Sequence, residues 1–330
     1  MRPAPPIALF CVTAILLAGC GTSTRLTHSG TAGTTTVART AATEQRASAD
    51  ATSVEPNSSD EVPMDVVPVV QSEFLRPLAQ YTTYVEALLR KLRPQLAALH
   101  RAAVAGDRGA AQHDWLLAHI SWLEIGQDDN AYGAFGQLGE AIDGKADGLP
   151  GTIGNPSFTG FHKVELDLWR RDDMAAAATD SAKLASLVGQ LTPKLVKSDL
   201  PSNDTALNGW VLRAHEILED AVRDSLSQDD DYGSNTDLST IAADVTATRE
   251  MVSLLEPLIE TRAPKIIPAV ARDLNQIDAT IDDAGGPLAV RDLETLPART
   301  RQALDQAVSQ AVEDLAPISE LMQIIAPGAT

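Results

Sequence analysis

LAQYTTYVEALLRKLRPQLAAL, Leu78 to Leu99, is the stretch whose spacing decides the fold. Leu78, Tyr81, Val85, Leu88, Leu92, Leu96 and Leu99 recur every three or four residues. A helix has 3.6 residues per turn, so these side chains form one apolar stripe along about six turns, with polar residues opposite. A helix with such a face is stable only when other elements cover it. Pro94 removes one rung of the hydrogen-bond ladder and predicts a kink. Gly106-Asp107 reads as a stop followed at once by the N-cap of a new helix.

Working outward, the same period returns in most of the chain. A second helix is predicted over Arg108 to Ile125, with Leu116, Ile120 and Leu123 inward. The Gly- and Pro-rich segment Gly126 to Pro156 breaks the pattern and predicts a long, partly irregular connection with a short helix near Gln137 to Asp143. Connections of that length inside a compact domain are more often functional than idle. Ser157 reads as the N-cap of the next helix, FTGFHKVELDLWRR. Further stripes mark Met174 to Lys197 (Leu184, Leu187, Leu191, Leu195) and Asp204 to Leu226 (Leu207, Val211, Ala214, Leu218, Val222). Others run through Leu238 to Ile259, Ile267 to Ile281 before Gly285-Gly286, and Pro297 to Ile325. No segment alternates with period two for long enough to build a sheet. The chain is predicted to be all-α, about eight helices in two antiparallel bundles, 69–198 and 204–325, joined near Ser198 to Asn203.

Composition narrows the functional classes. Aromatic residues make up 4% of the 330, which with the abundant Ala and Leu favours helix packing over a β-sandwich. Lys and Arg number 26 against 45 Asp and Glu, a formal charge of -19. An acidic surface repels phosphate backbones, so nucleic acid is excluded as a partner, while cations are attracted.

The N-terminus bears on location. Met1-Arg2, the apolar run Ile7 to Leu17 and Leu17-Ala18-Gly19-Cys20 read as a lipoprotein signal peptide, residues 1–19, cut before a lipidated Cys20. Residues 20–63 are rich in Thr, Ser and Ala and read as a disordered tether, with His28 solvated, ahead of a domain over 64–330. Cys11 leaves with the signal and Cys20 is acylated, so no thiol remains for a disulfide or a metal. A metal site must then come from His, Asp and Glu.

His162 and Glu165 stand three residues apart on one predicted helix and project to the same side. The pair suits a metal ion held in a helical bundle, or else a satisfied structural contact. Phe158, Phe161, Val164, Leu168 and Trp169 leave little of that helix polar, and a buried glutamate needs a cation, a proton or strong donors. His113 and His119, which share a predicted helix with Glu124, are further candidate ligands. His215 with Glu219 reads as a surface ion pair, and Asp229-Asp230-Asp231 as a solvated loop without the spacing of a calcium loop. No Gly-x-Ser-x-Gly elbow, Walker loop or dinucleotide fingerprint is present.

The GFHKVE run resembles the imelysin-like family in its EfeO/EfeM branch of bacterial iron-uptake lipoproteins, whose hallmark is a GFH-x-x-E helix. SWLEIGQ resembles that family's Tyr-x-x-Ile-Glu helix and points to Glu124, and AIDGKAD resembles its Ile-Asp-x-Arg element and points to Asp143. NGWVLRAHE points to Glu216, with Asp220 as the alternative in a gapless alignment, and DDDYGSNTDL points to Asp237. The likeness covers about Val69 to Ile325. Asn235 stands where the family has a His, Lys145 where it has an Arg, and the tether where full-length EfeO proteins carry a cupredoxin, as in the shorter EfeM type.

The resemblance implies an imelysin-like all-helical fold and a metal site of His162, Glu165, Glu124, Asp143, Asp237 and Glu216. The cargo it implies is iron, as Fe(III) or Fe(II), with Zn(II) or Mn(II) as the other fits to such donors. It further implies lipid anchoring on the extracytoplasmic face of the cell membrane, and delivery to a ferrous-type iron permease beside a haem-containing, peroxidase-like partner. Two other readings stand beside it. One is a metallopeptidase, the activity after which imelysins are named, although HExxH is absent and no enzyme is expected. The other is a helical lipoprotein that binds a polymer or a protein partner and uses His162 and Glu165 structurally.

Overall fold

The Leu78 to Leu99 stripe is buried along its whole length in one helix, α1 (Leu75–Ala105), which runs without a break through Pro94. The structure is a computed structural model, and it describes residues 68–126, 135–191 and 204–324. The signal, the tether, Cys20 and the joint near Ser198 to Asn203 lie outside the described residues. Gly106 ends α1 in the left-handed conformation at φ 72°. Asp107 then caps α2 (Arg108–Leu123) by accepting from the Ala110 N–H at 3.1 Å, so α2 turns straight back along α1.

The inward face of α2 differs from the expectation. Trp115, Ala118, His119 and Trp122 are buried beside Leu116, whereas Ile120 and Leu123 are half-buried. Two tryptophans on one face bring far more area to cover than the aliphatic pair, and they set the rotation of the helix.

A short helix, α3 (Gly136–Asp143), lies in the irregular connection as expected. The helix bearing His162 starts later than Ser157. It is α4 (Phe161–Trp169), because Gly160 leaves helical space at φ 85° and the Ser157 N–H is used by Asn155 Oδ1 at 2.8 Å. A Cβ on Gly160 would collide with the Ile142 carbonyl, so this glycine is what lets α4 begin against the end of α3. α5 (Met174–Gly189), capped by Asp173, packs on α1 and α4 and completes the first group of helices.

The second group begins with α6 (Asp204–Asp220), which continues through a π-helical turn, Ala221–Ser225. It packs on α7 (Asp237–Glu260), and α8 (Ile266–Ala284) then lies against α7 and α9 (Ala298–Leu315), while α9 and α10 (Pro317–Leu321) return to α6. Leu207, Val211, Ala214 and Leu218 are buried as their period predicts, and Val222, beyond the change to π geometry, is 38% exposed. α2 and α1 both touch α7, which joins the two groups. One hydrophobic core runs through both, and the described residues contain no strand, only an isolated bridge between Val69 and Ile324. The all-α class with an imelysin-like arrangement of helices is what the structure has.

Candidate metal centre

Three helix segments bring their polar residues to one point inside this core. His119 lies in the last turns of α2, Asp143 is the final residue of α3, and His162 is the second residue of α4. Thr159 Oγ1 donates to the Ala141 carbonyl at 2.6 Å and Trp115 Nε1 to the Phe161 carbonyl at 3.0 Å, which ties the start of α4 to both α3 and α2. His119 Nε2 is 3.1 Å from Asp143 Oδ1, and His162 Nε2 is 3.8 Å from the same oxygen. One ligating atom from each of the three lies within 4.8 Å of the others. All three residues are buried, at 4%, 6% and 6% exposure for His119, Asp143 and His162.

The imidazoles are held rigidly. The His119 ring packs on Trp115 and Phe161 at centroid distances of 4.7 and 4.9 Å and meets His162 edge-on at 5.5 Å. Burial lowers its pKa to about 4, against a smaller opposing pull from Glu165, and burial also lowers that of His162. Both rings are therefore neutral at physiological pH, which is the form that ligates a metal. Burial pushes Asp143 up to about 7, with His162 pulling it back.

Glu165, at 1% exposure, occupies a different place. Its Oε1 accepts from the backbone N–H groups of Tyr232 (2.9 Å) and Ser234 (3.1 Å), and its Oε2 sits 3.2 Å from His162 Nδ1. It thus orients the His162 ring and fastens the 229–236 loop onto α4. Burial raises its pKa to about 8.

The other sequence-predicted residues are distributed around this point. Glu124, at the C-terminus of α2, turns to Lys91 Nζ at 3.0 Å and is not among the three converging residues. Asp237, 3% exposed and raised to about 8 by burial and then by Asp230 and Asp231, shares a small cavity of about 10 Å³ with His119, His162 and Glu165. Glu216 is 3.4 Å from Arg213 Nη1. Its alternative, Asp220, is 2.9 Å from the same nitrogen and, unlike Glu216, lines a cavity that the three converging residues share. His113 is exposed, and His215 pairs with Glu219 at 3.5 Å, as its spacing predicts.

That cavity, of about 60 Å³, is lined by the three converging residues together with Lys145, Arg213 and Asp230 among others. The reading of 229–231 as a solvated loop holds only for Asp229, which is exposed. Asp231 closes the turn through the N–H groups of Gly233 (2.5 Å) and Asn235 (3.2 Å), and Asp230 faces the cavity, its pKa raised to about 6 by burial. Lys145 reaches Asp224 at 2.6 Å across the cavity wall. Asp230 and Lys145 carry no spacing signal of their own. The alignment of His119 with Trp115 and Trp122, at i+4 and i+7 of one face, was available to place His119 inward.

Comparison with known proteins gives the following. A family model described as Imelysin matches residues 77–318. The iron uptake system component EfeO of Yersinia pseudotuberculosis serotype I (strain IP32953) is 27% identical over 240 residues, covering 73% of this chain and 62% of that protein. The protein of the same name from Escherichia coli O1:K1 / APEC is 23% identical over 241 residues, covering 72% of this chain. The chain spans 62% of the length of these curated relatives.

Proposed function

Because the chain belongs to the imelysin family, we propose that it is the iron-binding component of an extracytoplasmic uptake system, holding its cargo at His119, Asp143 and His162. The observation that carries the reading is the convergence of two neutral imidazoles and one carboxylate, all buried, on one polar cavity. Burying a carboxylate without compensation is costly, and a cation supplies that compensation. The cavity of about 60 Å³ has room for an ion and its bound waters. In this reading Cys20 carries the lipid that holds the protein at the membrane, and the bound iron passes to a membrane iron permease that works with a haem-containing partner.

Equilibrium titration of the chain with iron, with the metal content of the protein as isolated, tests the reading. The wild type binds one ion per chain at this centre. His162→Ala and Asp143→Asn, checked as folded by circular dichroism, lose at least 100-fold in affinity. Unchanged binding in both folded variants would place the cargo elsewhere, and an absence of binding in the wild type would remove the proposal.

A further inference from the structure

We propose that His119 makes this centre selective for borderline divalent cations, so that Zn(II) is held at least as tightly as Fe(II), while Mn(II) and Fe(III) are held less tightly. The inference rests on the preceding reading that the centre holds a metal, and it adds the chemical class of ion. It follows from the donors the fold has assembled. Two of the three converging atoms are imidazole nitrogens, and nitrogen donors favour Fe(II), Co(II) and Zn(II) over ions that prefer all-oxygen sites. Between Fe(II) and Zn(II), a nitrogen-rich set with no imposed geometry favours zinc, following the usual order of divalent affinities.

Several of the nearby oxygen donors that would oppose this preference are engaged, Asp237 among them through Gln228 Nε2 at 3.3 Å. Glu124 is turned towards Lys91. Both oxygens of Glu165 are in hydrogen bonds, to two backbone N–H groups and to His162. Asp220 and Asp224 are in ion pairs with Arg213, Arg223 and Lys145. A phenolate would favour ferric iron, but the Tyr232 hydroxyl accepts from the Ala146 N–H at 2.8 Å, and no tyrosine lines the cavity among the described residues. Asp230 and Asp244 also line the cavity, so a fourth donor to the ion would be an oxygen.

His119 is also fixed in place by its neighbours. The Trp115 and Phe161 rings confine it on two sides, and its Nε2 is aimed at the same Asp143 oxygen that His162 Nε2 approaches. Ligand placement of that kind is what metal selectivity requires.

The test is an anaerobic competition of Fe(II), Zn(II), Co(II) and Mn(II), and of Fe(III) supplied as a weak chelate, on the wild type and on His119→Glu, which exchanges a nitrogen for an oxygen donor. The wild type is expected to hold Zn(II) at least as tightly as Fe(II) and each at least 10-fold more tightly than Mn(II) or Fe(III). Co(II) bound to the wild type should show nitrogen couplings from two imidazoles in pulsed electron paramagnetic resonance. His119→Glu should narrow the Zn(II) to Mn(II) ratio by at least 10-fold. Fe(III) or Mn(II) held as tightly as Zn(II) by the wild type, or couplings from a single imidazole, would overturn the inference while leaving iron binding in place. The wild-type measurements decide the matter even if the variant does not fold. If no metal binds the wild type, the underlying reading fails as well, and Fe(II) alone reports that.

Discussion

Glu165 uses both carboxylate oxygens without facing the point where His119, Asp143 and His162 converge. A glutamine in its place keeps the shape but cannot satisfy both sides. Once a metal on His162 Nε2 fixes the ring proton on Nδ1, the glutamine oxygen can accept from the Tyr232 and Ser234 N–H groups or from His162 Nδ1–H, and its amide then meets the other side with the wrong polarity. Glu165→Gln is expected to lower metal affinity by about 10- to 100-fold, the range typical for partners that orient a ligand, and to destabilise the fold by about 1–3 kcal/mol. Retained affinity with lost stability would confine Glu165 to holding the loop.

The same residues set a pH dependence. In the metal-free protein Asp143 and Glu165 keep protons to about pH 7 and about pH 8, and a cation bound by Asp143 displaces the proton there. Affinity is therefore expected to rise steeply from pH 6 to pH 8 and to level off above, with proton release measurable by calorimetry in buffers of different ionisation heat. For the metal-free protein the sign is opposite. Folding retains protons that the unfolded chain gives up near pH 4, so these groups make the metal-free protein less stable as pH climbs from about 4 to 8. A flat affinity profile would contradict the assignment of Asp143 as a ligand.

At the scale of elements, the centre depends on how closely the start of α4 approaches the end of α3. Gly160 permits that approach by combining a positive φ with the absence of a Cβ beside the Ile142 carbonyl. Gly160→Ala is expected to cost at least about 2 kcal/mol, from backbone strain and the displaced carbonyl together, and to weaken metal binding by moving His162 away from Asp143. Chemical denaturation and the same titration check both effects. A substitution that is neutral in both would show that the α3–α4 contact is not what sets the geometry.

The helices themselves were legible, because a 3.6-residue stripe such as Leu78 to Leu99 states which side is buried without reference to the rest of the chain. The start of α4 was not legible. Ser157 has the chemistry of an N-cap, but its amide is used by Asn155 and the tertiary approach at Gly160 decides where helical geometry begins. The choice between Glu124 and His119 is of the same kind. They are five residues apart on α2, about 140° around the helix, so only one of them can face the point set by Asp143 and His162. Burial of Trp115 and Trp122 turns the His119 side inward and leaves Glu124 to Lys91.

Over the whole molecule, the acidic balance of the chain draws cations towards the surface, and in the proposed reading the buried centre selects among them. His162 and Asp143 were identifiable from motif and resemblance. His119 and Asp230 became central only once α2, α4 and the 229–236 loop were packed together, because residues more than forty positions apart in sequence meet there and no local spacing records it. That long-range assembly is the central claim, and it is tested most directly by anomalous diffraction, at the absorption edge of the metal, from crystals of the iron- or zinc-loaded protein. The account predicts one strong peak bonded to His119 Nε2, Asp143 Oδ1 and His162 Nε2, at about 2.0–2.2 Å for zinc. A fully occupied peak elsewhere, or a loaded protein with no peak between these three side chains, would contradict it.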